Sequence, residues 1–121
     1  MKPKQAQLRP ANILLEKHLD ELGLRFRTEV KFCDGRKWRF DYLIAPTLVQ
    51  RSHWPTHVGV IAVEIEGSVY THGRHTRGKG FEADCEKYNW ATRLGYTVLR
   101  FSTGQVLRGE AKKFLQEWVN K

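Results

Sequence analysis

The sequence predicts a mixed α/β domain, a sheet with helices on its faces, in the order α-β-β-β-α-β-α. Three observations carry this reading. Residues 24–45 alternate in polarity on either side of Asp34-Gly35, a hairpin signature. Val58–Glu66 is apolar on both faces until Glu64, and a helical stripe and a short strand, Tyr96–Phe101, follow it. A strand, crossover helix and strand favour parallel pairing, so a hairpin followed by this unit makes a mixed sheet. Amphipathic stripes near both ends of the chain supply helices to cover it.

Each element follows from its local pattern. Residues 10–22 read as a helix: Pro10 suits the first turn, Ala11, Leu15, Leu19 and Leu22 recur at helical spacing, and Gly23 stops it. Ile13 and Leu14 widen the apolar side, and Glu16 borders the buried stripe. In the strand 24–32, Phe26, Thr28, Val30 and Phe32 face one way and Arg25, Arg27, Glu29 and Lys31 the other. The return strand Arg36–Ala45 puts Trp38, Phe40, Tyr42 and Ile44 on one face and Arg39, Asp41 and Leu43 on the other. Asp41 is therefore a charge inside an apolar-rich strand.

Pro46–His57 is a loop or a hairpin extension containing Trp54. Residues 67–80 are irregular, with Gly67, Gly73, Gly78 and Gly80 among His72, Arg74, His75, Arg77 and Lys79. A helix over 81–94 carries Phe81, Cys85, Tyr88 and Ala91 or Leu94 at helical spacing, and Gly95 ends it. Thr103 is the expected cap of a last helix with the stripe Leu107, Ala111, Phe114, Leu115 and Trp118, kinked at Gly109.

The 121 residues are expected to form one domain, 1–121. Hydrophobic residues make up 40% and aromatics 12%, enough for a core, which excludes wholesale disorder. No apolar run approaches the ~20 residues of a membrane helix, and the polar start Met1-Lys2-Pro3-Lys4-Gln5 lacks a signal-peptide core. A soluble, cytoplasmic protein is expected. Two cysteines, Cys33 and Cys85, are too few and too far apart for a disulfide scaffold or a CxxC metal site, and both read as buried or inert thiols.

The net charge of +8 points to a polyanionic partner, nucleic acid by default. Its distribution says more. Residues 1–40 hold 10 basic and 5 acidic residues, whereas residues 41–66 hold Arg51 alone against Asp41, Glu64 and Glu66. This acidic island coincides with the most strand-like segments. Two readings are open: a solvated sheet face, or a site for a hard divalent cation, which takes clustered carboxylate oxygens.

An acidic residue in the first helix, Asp41 in a hairpin strand, Glu64-Ile65-Glu66 ending a buried strand, a basic Gly-rich loop, and then a helix with Asp84 and Lys87 make an ordered set. Together they resemble the PD-(D/E)XK nuclease superfamily, and within it the compact very-short-patch-repair-like endonuclease branch and related phage nucleases. The stretches that carry the resemblance are Arg39-Phe40-Asp41, Val63–Gly67, Gly73-Arg74-His75 and Leu94–Phe101, across most of residues 16–103. The resemblance implies a restriction-endonuclease-like αβββαβ core. It also implies a Mg²⁺-dependent DNA endonuclease, with Mn²⁺ able to substitute, acting in phage or bacterial DNA repair or recombination. Phosphodiester hydrolysis needs a cation to polarise a phosphoryl oxygen and activate a water. Asp41 and Glu64 would bind it, with the Ile65 carbonyl as a third ligand and Glu66 assisting. The chain departs from the pattern at Glu66, which stands where the superfamily has lysine. Lys87 is one substitute, and His75 or His72 another, as general acid. Glu16 resembles the superfamily's first-helix carboxylate.

Each residue also has a plainer reading. Asp41 can pair with Arg39 or Lys37, Lys87 with Asp84 at i, i+3, and Glu16 can be a solvated helix flank. Arg74, Arg77 and Lys79 follow the acidic strand, where glycines let backbone approach a phosphate, and Lys37 and Arg39 of the hairpin extend that basic surface. Trp54 suits base stacking or duplex wedging, or caps the core. Trp38, Trp90 and Trp118 fit packing positions. His53, His57, His72 and His75 have zinc-compatible spacings without a supporting cysteine pair. Two further functional classes stand beside the nuclease: a non-catalytic nucleic-acid-binding module on the same fold, and a protein-binding subunit of a repair assembly. The expected DNA partner is duplex, branched or mismatched. A bare core of this size leaves room for a homodimer with two sites.

Overall fold

The structure, a computed structural model, describes residues 9–45, 60–67 and 79–119. The elements run α1 (Pro10–Glu21), β1 (Arg25–Lys31), β2 (Arg39–Ala45), β3 (Ile61–Glu66), α2 (Lys79–Arg93), β4 (Thr97–Ser102), α3 (Thr103–Leu107) and α4 (Glu110–Val119). The strands form one sheet in the order β1-β2-β3-β4, with β1–β2 and β2–β3 antiparallel and β3–β4 parallel. This is the mixed sheet flanked by helices that the sequence predicts. Among the described residues no helix is long and apolar enough to cross a membrane.

Two cores sandwich the sheet. On one face, Ala11, Leu15 and Leu19 of α1 and Ala111 and Leu115 of α4 pack on Tyr42, Ile44, Ile61, Val63 and Phe101. On the other, Ala91 of α2 meets Phe40 and Ala62, with Phe32, Leu43, Tyr96 and Val98 packed around them. Three of the four central β3 positions buried by this arrangement are apolar; the fourth is Glu64, 6% exposed. Burying each large aliphatic side chain contributes about 1.5–3 kcal/mol, so the face of β3 that carries Ile61 and Val63 is held firmly.

The alternation expected for the hairpin is broken at its middle. Phe26 and Tyr42 belong to the α1-side core, but Phe32 and Phe40 belong to the α2-side core. Phe32 stacks on Phe40 with ring centroids 3.9 Å apart, and Tyr96 meets both edge-on. The change of face falls at Glu29, whose φ of 52° lies in the left-handed region and is rare for any residue but glycine. Thr28 pairs with Tyr42 and Val30 with Phe40, while Glu29 and Asp41 drop out of the register between them. One non-extended residue is enough to interrupt the pleat, and a period-two pattern cannot reveal it.

Other boundaries shift for local reasons. The last helix is two helices: Gly109, at φ 83°, breaks the chain between α3 and α4 rather than kinking one helix. Its cap is Ser102, not Thr103. The Ser102 hydroxyl accepts from the Gln105 amide at 3.0 Å and the Gln105 side chain accepts from the Ser102 amide at 2.9 Å, a reciprocal capping box. The expected stripe of α2 is largely solvent-facing, with Phe81 59% and Leu94 47% exposed. Cys85 is exposed and Cys33 half-buried, so neither is a buried thiol. Ile13 also faces solvent.

Gly67, which closes the Glu64-Ile65-Glu66-Gly67 sequence, sits against the start of α3. A Cβ there would lie 2.4 Å from Thr103 Oγ1. Gly67→Ala requires the Thr103 side chain to turn away or β3 and α3 to separate, and is expected to cost about 1–3 kcal/mol in chemical denaturation. A variant as stable as the parent chain would show that this close approach is dispensable.

Candidate metal centre

The β2–β3 ladder runs through Ile44–Ile61, Leu43–Ala62 and Tyr42–Val63 and stops there. Beyond it, Phe40 and Arg39 of β2 stay paired with β1, and Glu64, Ile65 and Glu66 of β3 stay paired with β4. The two central strands part, and backbone donors face the gap without ladder partners. Two carboxylates take their place. Asp41 N–H donates to Glu64 Oε2 at 2.7 Å, and Ile65 N–H donates to Asp41 Oδ2 at 2.8 Å. Each strand's acid caps the other strand's backbone. The N–H and C=O of a strand residue point to the same edge, so the Ile65 carbonyl faces this gap as well.

The second carboxylate oxygen of Glu64 looks toward α2. Lys87 Nζ lies 2.8 Å and the Tyr88 hydroxyl 2.9 Å from Oε1. Tyr88 also stands 3.3 Å from Glu66 Oε2, and Arg100 Nε of β4 binds that same Glu66 oxygen at 3.0 Å. The register explains the convergence: Glu64 lies opposite Arg100 in the parallel β3–β4 pair, and Glu66 is two residues along the same face. Arg100 lies over the Tyr88 ring, 4.4 Å from its centroid.

Burial and the neighbouring Glu64 charge push the Asp41 carboxyl up to about 6, against the pull of the Ile65 amide. Burial, and then the charges of Glu64 and Glu66, push the Tyr88 phenol well above its ordinary range, so it stays a donor. Two carboxylates held within reach of each other, one of them destabilised as an anion, create a demand for positive charge. Lys87 answers part of it.

The structure thus brings together Asp41, Glu64, Ile65, Glu66 and Lys87, and adds two residues that the sequence reading did not single out for a site, Tyr88 and Arg100. Lys87 binds Glu64 rather than Asp84. Asp41 binds the Ile65 amide rather than Arg39 or Lys37; Arg39 instead faces Glu29 at 4.0 Å. Glu16 is not brought into this group. It sits on α1, over the opposite face of the sheet, and accepts from the Tyr42 hydroxyl at 2.7 Å. Lys37 and Arg39 are exposed on the hairpin. Nearby, Arg36 binds Glu86 of α2 and lies over the Trp38 ring at 4.2 Å. Trp54, His72, Arg74, His75 and Arg77, with His53 and His57, lie outside the described residues, as does the Lys79 side chain. Among the described residues no three His, Cys, Asp or Glu side chains gather into a metal-binding group. The donor set at the gap is two carboxylates and the backbone edge of Ile65.

Comparison with family models, with curated proteins and with solved structures finds no match to this chain.

A pH dependence follows from Asp41. A carboxyl whose pKa is higher in the fold than in the unfolded chain favours the fold at low pH, and that advantage is lost as pH rises from about 4 through about 6. Asp41→Asn keeps an acceptor for the Ile65 amide and removes the charge. Without divalent cations it should be more stable than the parent chain at pH 7.5, by about 1–3 kcal/mol, and the gap should close toward pH 4. Urea titrations of both chains at the two pH values check this. A variant less stable at pH 7.5 would mean that the charge is stabilising.

Proposed function

We propose that this protein is a divalent-metal-dependent DNA endonuclease of the PD-(D/E)XK type, built on a restriction-endonuclease-like core. The observation that supports this best is the reciprocal pairing of Asp41 and Glu64 at the point where β2 and β3 part, with Lys87 reaching Glu64 from α2. The order of strands and helices is the one the resemblance implies, and the acids meet across adjacent strands as a split site requires.

The residues fit a hard cation. Mg²⁺ takes oxygen ligands and keeps several waters, so two carboxylates and a carbonyl suffice. Asp41 and Glu64 would hold it, with the Ile65 carbonyl facing the same gap. When bound, the cation polarises a phosphoryl oxygen and activates a water. Glu66 lies two residues beyond Glu64 on the same face, where its carboxylate accepts from water or from a hydrated ion. Lys87 supplies the positive charge that the superfamily's Glu-x-Lys lysine would bring, from a helix instead of from β3. Exposed Lys37 and Arg39, with Arg74, Arg77 and Lys79 of the basic segment and His72 and Trp54, are the proposed contacts to DNA. His75 is the proposed general acid.

A second reading, a non-catalytic nucleic-acid-binding module, is favoured by one observation: Glu66 stands at the lysine position, bound to Arg100. Binding without cleavage, unaffected by Mn²⁺ and falling steeply with salt, would identify it.

Incubation with supercoiled, branched and mismatched DNA in Mg²⁺ or Mn²⁺ tests the proposal. Cleavage is expected on at least one substrate. Asp41→Ala, Glu64→Ala and Lys87→Met should each lose about 100-fold or more, the scale for removing one electrostatic contact to a transition state. Inactivity on every substrate together with no Mn²⁺ binding would refute it. So would activity that survives the Asp41→Ala, Glu64→Ala double variant.

A further inference from the structure

Tyr88 of α2 carries its hydroxyl to the acidic end of β3. Its hydroxyl lies 2.9 Å from Glu64 Oε1, the oxygen that Lys87 Nζ also approaches at 2.8 Å, and 3.3 Å from Glu66 Oε2. Glu64 therefore has three donors in the absence of any cation: the Asp41 amide on one oxygen, and Lys87 and Tyr88 on the other. A divalent cation approaching this carboxylate repels the ammonium of Lys87 but not a neutral phenol. The ring itself is steadied from above, since Arg100 lies over it at 4.4 Å and is anchored through Nε to Glu66.

We propose that Tyr88 is the positioning residue of the metal centre: it keeps the Glu64 carboxylate aimed when a cation replaces the Lys87 ammonium. This rests on the reading of Asp41 and Glu64 as cation ligands. A phenol has one proton to donate, and the shorter distance assigns it to Glu64, with Glu66 left to Arg100. Lys87 is then the mobile partner, released toward a phosphate, and Tyr88 the fixed one. Hydrogen bonds that orient ligating carboxylates are worth about 10–100-fold in metal affinity.

Calorimetric titration of the full chain with Mn²⁺ tests this, on the parent chain, Tyr88→Phe, Arg100→Lys and Asp41→Asn. Tyr88→Phe keeps the ring and its contact with Arg100. Its dissociation constant for Mn²⁺ should rise about tenfold, with a melting temperature close to that of the parent. Arg100→Lys, altered at an exposed position with its positive charge kept and the flat guanidinium over the ring lost, should weaken binding in the same direction by a smaller factor, and it serves the test alone if Tyr88→Phe does not fold. A tyrosine that only packs would change the melting temperature and leave Mn²⁺ affinity untouched. If Asp41→Asn abolishes binding while Tyr88→Phe and Arg100→Lys bind like the parent chain, the role of Tyr88 is refuted and the cation site stands. If the parent chain takes up no Mn²⁺, both fall.

Discussion

Where β2 leaves β3, the backbone amides of Asp41 and Ile65 face a gap that no strand fills. A buried amide without an acceptor costs about 1–3 kcal/mol, and the β2–β3 ladder ends here, at Tyr42–Val63, while β2 runs on beside β1 and β3 beside β4. The Asp41 and Glu64 carboxylates resolve this by binding across the gap, each to the other's strand. The same act brings two negative charges together in a largely buried place. Burial, and then that repulsion, raise the Asp41 carboxyl, and Lys87, Tyr88 and Arg100 gather around the acids of β3. The requirement of the fold and the proposed chemistry of the site meet in these two hydrogen bonds.

The surrounding structure holds that pair in place from two sides. Beneath β3, α1 and α4 press on Ile61 and Val63, while α2 closes the other face over Ala62 and brings Lys87 and Tyr88 with it. The hairpin contributes by changing face at Glu29. This turns Phe40, adjacent to Asp41, into the α2-side core, where Phe32 and Tyr96 clamp it. A left-handed non-glycine residue is costly, and here it lies across from Asp41, between the pairs Thr28–Tyr42 and Val30–Phe40. At the far end of β3, Gly67 lets α3 approach, so the strand bearing both glutamates is fixed at both ends.

Much of this was legible in the residues. Asp41 in an apolar strand and Glu64 ending another are anomalies that burial energetics makes conspicuous; that their strands are adjacent was expected from the resemblance alone, since the hairpin pairs β1 with β2 and the crossover β3 with β4. Lys87 was legible as a cation one helix away. Tyr88 and Arg100 were not, because an aromatic on a helical stripe reads as core and an arginine on a strand as surface. The register of β3 against β4 puts Arg100 on the face of Glu64, and the packing of α2 on that face brings Tyr88 to it. Glu16 misled for a related reason: helical position places it near the stripe, but which face of the sheet α1 covers is a tertiary fact. The face change at Glu29 and the break at Gly109 depend on single φ angles, to which polarity patterns are blind.

The central claim is that the gap between Asp41 and Glu64 is a divalent cation site with an oxygen donor set. A crystal soaked in Mn²⁺, measured for anomalous scattering, tests it most directly. The account predicts a peak between the two carboxylates, within coordination reach of the Ile65 carbonyl, with Lys87 turned away from Glu64 and Tyr88 still in place. A map without a peak there, with the Lys87 ammonium still on Glu64 Oε1, would contradict it.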